Sequence, residues 1–260
     1  MGTFNWLVLV TLLIVTQHTS AQSSISEAQA SLTEISFKTD DEFMLMGHYF
    51  PGEPEQAGVL MLHDCASDST VYRDLAKSVA KSGIHALTLD LRGFGKSTSE
   101  QYSHATVKKS AKDIVTYQSG LVSLTAYWQQ DVLLAFNYLK KQMNDKGHIA
   151  VVSAGCSAPY AVQLAEKMRL GAVVLVSPKL EYMDKEKYKN LIDFPAYFMA
   201  AAFDVETYQT SVELYQWNGD PRSTMQIFKG EHSGYSLLRR QSFLTENIAQ
   251  WLQYILIKDK

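Results

Sequence analysis

The stretch Ile149-Ala150-Val151-Val152-Ser153-Ala154-Gly155-Cys156-Ser157-Ala158 decides the reading of this chain. An apolar run passes into small residues and then, from Pro159 to Met168, into helical spacing. That succession is the pattern of a buried strand, a sharp turn and a helix packed back onto a sheet.

The same alternation extends in both directions. Candidate strands are Leu32 to Phe37, Phe43 to Tyr49, Gly58 to Leu62, His85 to Leu89, Ile149 to Val152, Ala172 to Val176, Ala196 to Ala200 and Thr224 to Phe228. Between them, Leu124, Trp128, Val132, Ala135 and Leu139 recur every three or four residues, which predicts a helix from Ser123 to Lys141. Shorter helical patterns cover Val71 to Lys81, Glu206 to Trp217 and Phe243 to Ile257. The first two strands are joined only by Lys38-Thr39-Asp40-Asp41, so they read as an antiparallel hairpin, and the remaining strands are expected to run parallel. The polar stretch from Thr98 to Leu121 reads as a solvated loop, with a flap over a pocket mouth as the alternative.

Composition narrows the function classes. A formal charge of −3, with no long Lys/Arg block, gives no electrostatic footprint for nucleic acid. The seven histidines show no ligand spacing such as H-E-x-x-H, so neither a metal nor another cofactor is expected. The apolar run from Trp6 to Val15 is too short for a bilayer span, and Ala21 offers a small-residue cleavage site. Residues 1–21 therefore read as an export signal, with a retained anchor as the alternative, and residues 22–31 as a flexible leader. The expected location is periplasmic or secreted, with no stable membrane span after cleavage. Residues 32–260 are enough for one α/β domain of mostly parallel sheet with helices on both faces.

Four segments resemble the α/β-hydrolase superfamily, closest to its dienelactone-hydrolase-like and small esterase branches. Gly58-Val59-Leu60-Met61-Leu62-His63-Asp64-Cys65 is similar to the strand that leads into an oxyanion-hole loop, with Asp64 in the usual glycine place. Asp90-Leu91-Arg92-Gly93-Phe94-Gly95-Lys96-Ser97 is similar to the D-x-R-G-x-G-x-S turn. The 149–158 stretch occupies the nucleophile elbow, and Asp204 and His232 come later in the Ser, Asp, His order of the fold. His63 matches a position that supports the oxyanion turn, while His85 reads as structural.

The elbow departs from G-x-S-x-G, and three registers stay open. Carrying the strand without a gap puts Gly155 at the nucleophile position, with Ser153 and Ser157 on the flanking glycine positions. A second register makes Ser157 the nucleophile, with Pro159 replacing a glycine, and a third uses Cys156. In either active register, His232 would act as base and Asp204 would orient it; Asp204 also reads as a helix N-cap.

In this fold two backbone N–H groups form the oxyanion hole, and in the Gly155 register the resemblance places them at Cys65 and Cys156. Two such residues fall within the roughly 4.4–6.8 Å Cα window of a disulfide, so a Cys65–Cys156 bridge is expected, against the alternative of two buried thiols. The functional expectation is a degenerate hydrolase-fold protein that binds a small ester, an apolar ligand or a partner. The alternative is a carboxylesterase-like enzyme using Ser157, His232 and Asp204. Oligomeric state is not legible.

Overall fold

In the computed structural model, residues 1–2 and 32–258 are described. The expected export signal and leader lie, save the first two residues, outside the described residues. Eight strands form one sheet in the order β1-β2-β4-β3-β5-β6-β7-β8. They are β1 Thr33–Lys38, β2 Met44–Phe50, β3 Gly58–Leu62, β4 His85–Leu89, β5 Ile149–Ala154, β6 Ala172–Val176, β7 Ala196–Ala201 and β8 Thr224–Phe228. Strand β2 is antiparallel to both β1 and β4, and every pairing from β4 to β8 is parallel.

Successive strand residues point to opposite faces, so both faces must be apolar when helices cover both. Leu60, Leu62, Leu87, Leu89 and Val151 pack on one side with Trp128, Val132, Phe136 and Leu139 of α4 (Trp128–Gln142). Val59, Met61, Ala86, Ala150 and Val152 pack on the other against Leu75 and Val79 of α1 (Arg73–Lys81) and Leu244, Ile248 and Leu252 of α9 (Phe243–Gln253).

Two expectations need correction. The stretch from Thr98 to Leu121 is not a loop: α2 (His104–Ser110) and most of α3 (Ile114–Thr125) lie within it. Each starts on a side chain that accepts an otherwise unpaired backbone N–H, Ser103 from Thr106 and Asp113 from Thr116. The helix expected over Ser123 to Lys141 is interrupted, because α3 ends at Thr125 and α4 starts at Trp128. The indole of Trp128 sets that start: it is fully buried and donates to the Arg92 carbonyl at 2.9 Å.

Arg92 itself is buried. Its guanidinium bonds Asp131 at 2.9 and 3.0 Å and also pairs with Asp41 on the β1–β2 turn. Phe43 and Tyr127 lie with ring centroids 4.4 Å from it, at cation–π range. Burial opposes its charge, but the two carboxylates outweigh this and keep the guanidinium protonated. The D-x-R-G turn thereby ties the opening hairpin to α4.

Candidate functional site

Ligands in open α/β sheets bind beyond the carboxyl ends of the strands. Here that edge carries a cleft of about 640 Å³ where the loops after β3, β5, β6 and β8 converge. A second cavity, of about 500 Å³ and lined by His148, Gly171 and Pro195, lies at the opposite edge.

The cleft's floor is the turn after β5. Gly155 follows Ala154 directly with φ +53°, and a short 3₁₀ turn, Gly155–Ser157, leads into α5 (Ala158–Lys167). Positive φ is the conformation that side chains resist and glycine accepts. A Cβ added at Gly155 would sit 3.2 Å from the Cβ of Asp64, a tight contact that Asp64 would have to yield by a few tenths of an ångström to accommodate.

Ser157 points elsewhere. It is fully buried, and its hydroxyl lies 3.1 Å from the Leu62 carbonyl, 3.0 Å from the Ala154 carbonyl and 3.1 Å from the Ala154 N–H. Its hydrogen bonds clasp the turn to the end of β3. Cys156 has no thiol to offer, since it is bonded to Cys65 with a Cα separation of 5.9 Å. The bridge lies on the cleft wall.

The loop after β3 is held from below. His63 is buried; its Nε2 accepts the Leu91 N–H at 3.0 Å, which leaves Nδ1–H to donate to the Asp64 carbonyl at 2.7 Å. Burial lowers its pKa and keeps the ring neutral. His85 is structural, with Nδ1 2.6 Å from the Tyr49 hydroxyl and Nε2 2.8 Å from the Glu53 carbonyl.

Asp64 matters more than its sequence position suggested. Its Oδ1 accepts from Ala66 N–H at 3.0 Å and Ser67 hydroxyl at 2.5 Å, and its Oδ2 accepts from Tyr235 N–H at 2.8 Å. The carboxylate thus joins the loop after β3 to the start of α8 (Tyr235–Arg240), directly after the histidine-bearing loop. Gly234, at φ +56°, has no room for a Cβ because the Asp64 carboxylate fills that space.

His232 and Asp204 occupy the loops after β8 and β7. Among the described residues no hydrogen bond joins His232 to Asp204 or to Ser157. Ser233, Gly234 and Tyr235 line the cleft. Asp204 stands at the N-cap position of α7 (Val205–Trp217), but its side chain makes no capping hydrogen bond.

Spacing did not single out three further groups. Lys179 and Arg239 line the cleft as cations, and the Lys179 N–H donates to the Gly155 carbonyl at 3.1 Å. Ser177, beside the elbow because Val176 pairs with Ala154, has φ +47° and a buried hydroxyl without a partner. Such a backbone state is uncommon outside glycine, but apolar strand patterning carries no signal for it.

The family model described as serine aminopeptidase, S33, matches residues 53–203, more than half of the 260-residue chain. No curated protein matches at the level of sequence. Among solved structures, an esterase of Pyrococcus furiosus superposes with a TM-score of 0.63 at 17% identity, covering 87% of this chain and 91% of its own. A dienelactone hydrolase of Anabaena variabilis gives 0.60 at 17% identity, covering 88% and 99%. A thermostable carboxyl esterase of Bacillus coagulans, solved with glycerol, gives 0.63 at 11% identity, covering 87% and 99%. With the strand order, the elbow and the late Asp and His loops in place, the chain belongs to the serine aminopeptidase S33 family of the α/β-hydrolase superfamily.

Proposed function

We propose that this is an exported, catalytically degenerate hydrolase that acts by binding a small ligand in the cleft at the carboxyl edge of its sheet. The observation that carries the proposal is Gly155. It holds the positive-φ position that directly follows β5, where this fold presents a nucleophile, and it has no side chain to attack with. The hydroxyl of Ser157 is buried among backbone partners, and the sulfur of Cys156 is spent in a disulfide. An Asp and a His without an adjacent hydroxyl or thiolate have nothing to activate.

Losing a serine at this position relieves strain, because glycine takes the turn's dihedrals without steric cost. The fold therefore survives the loss, and the cleft of about 640 Å³ falls within the size range of small-molecule sites. Export is supported by the apolar run from Trp6 to Val15 with Ala21 after it, and by a disulfide that fits an oxidising compartment.

The test is turnover of p-nitrophenyl acetate and butyrate by the purified protein and by His232→Ala. The expected rate is no greater than that of a serum-albumin control and is unchanged in the variant. Saturable turnover abolished by His232→Ala would sink the proposal.

A further inference from the structure

The helical hairpin α2–α3 is inserted in the chain between β4 and α4. His104 of α2 stacks on Phe94 at 4.5 Å, Phe94 lies 5.3 Å from His63, and the residue after His63 lines the cleft. The hairpin holds itself together on one side. His104 Nε2 lies 2.9 Å from the Tyr117 hydroxyl, Val107 packs on Gly120, and Leu124 is buried under Gly93. Residues 117, 120, 121 and 124 therefore form the inner face of α3.

The opposite face has an unusual composition. Helix α3 contains no charged residue, and its outer positions are Val115, Gln118, Ser119 and Val122, with Ile114 at the flank. Ile114, Val115 and Val122 are 65%, 66% and 69% exposed. Helix α2 buries none of its residues. Lys108 and Lys109 in the last turn of α2, and Lys112 in the short link to α3, stand exposed, and among the described residues none of them forms an ion pair. Of the two nearby acids, Asp113 is engaged by the N–H and hydroxyl of Thr116, and Glu100 is a single exposed charge.

We infer that this hairpin docks the protein on an anionic lipid bilayer. Aliphatic side chains separated by small uncharged polar ones, with unpaired lysines alongside, match an interface in which apolar groups enter the acyl boundary and cations meet lipid phosphates. A protein partner fits the face less well. Protein interfaces draw on Trp, Tyr and Arg anchors and are depleted in Lys, whereas this face offers aliphatics and lysines. Among the described residues no helix is long and apolar enough to cross a membrane, so the contact is a surface one.

The test is hydrogen–deuterium exchange of the full chain with vesicles of phosphatidylcholine alone or mixed with phosphatidylglycerol. The apolar run Trp6–Val15 is common to the wild type and both variants, so it cancels from their comparison. Amides of residues 104–125 are expected to slow with the anionic vesicles and not with phosphatidylcholine alone. A lysine near an anionic surface is worth about fivefold in partitioning, so K108E/K109E/K112E is expected to weaken it by about 100-fold or more and abolish the slowing. V115D/V122D, whose sites are exposed and whose fold circular dichroism checks, is expected to abolish it too. Unchanged exchange with anionic vesicles overturns the inference, as does equal slowing by both lipids. Slowing without vesicles that grows with protein concentration also overturns it and assigns the face to a second copy of the chain.

Discussion

The carboxylate of Asp64 accepts the backbone N–H of Tyr235 at 2.8 Å across 171 residues of chain. This bond fastens the loop after β3 to the end of the loop that carries His232, and it fills the space that a side chain on Gly234 would need. Asp64, which the resemblance puts in a glycine's usual place, is here the strut between these two loops.

Replacing Asp64 with Ala leaves the N–H groups of Ala66 and Tyr235 without their partner. The expected cost is about 1–3 kcal/mol in urea unfolding, with faster amide exchange at Tyr235. Gly234→Ala is also destabilising, through its positive φ and the clash with Asp64. In the double variant the clash vanishes and the dihedral cost remains, so the two effects should fall short of additive. Full additivity would mean that the two groups do not share the space.

The Cys65–Cys156 bridge closes a loop with a sequence separation of 91. The chain-entropy treatment gives about 4–5 kcal/mol for a loop of this length, so C65A/C156A should unfold at markedly lower urea than the oxidised protein. Addition of reductant to the native protein should give the same shift. Equal midpoints with and without reductant would show that the bridge does not stabilise the fold.

Arg92 is the only described residue bonded to both Asp41 and Asp131, and Arg92→Met would leave Asp131 buried without its cation. A loss of about 3–5 kcal/mol is expected, measured by chemical unfolding. Asp41 is held down to about 2 by its hydrogen bond from Arg92. Its contribution is complete above the ordinary carboxylate value of 3.8 and is lost as pH falls from there through about 2.

His63, His85 and His104 all have pKa values lowered from 6.5, chiefly by burial. Below that value the unfolded chain takes up protons that the folded rings refuse. Their contribution is therefore complete above pH 6.5 and is lost as pH falls through the folded values. Each ring adds at most about 1.4 kcal/mol per pH unit to the slope. Urea midpoints measured from pH 7.5 down to 5.5 should decline, and His63→Asn should flatten the decline.

Most of the sheet was legible because buried parallel strands are dense apolar runs. Gly58–Leu62, His85–Leu89, Ala172–Val176 and Thr224–Phe228 have the limits that patterning gave them. Helices α2 and α3 were hidden because they bury almost nothing, so no apolar period marks them; their N-caps, Ser103 and Asp113, were the signal that could have found them. Strand β5 runs two residues past Val152 because Ser153 and Ala154 pair with Leu175 and Val176, a contact that only topology brings about. At the site, the Cys65–Cys156 pairing was expected through the family resemblance, which puts both residues at the oxyanion-hole positions, whereas the positive φ of Gly155 comes from the structure. The use of Asp64 as a strut was not legible, since its partner Tyr235 lies across the molecule.

Labelling of the purified protein with a fluorophosphonate probe, with peptide mass mapping of any adduct, reads the presence of an activated serine directly. No adduct is expected on any serine, because Gly155 offers no hydroxyl and that of Ser157 is buried against Leu62 and Ala154. A stoichiometric adduct on Ser157, lost in His232→Ala, would contradict the loss of the nucleophile and establish a working serine hydrolase.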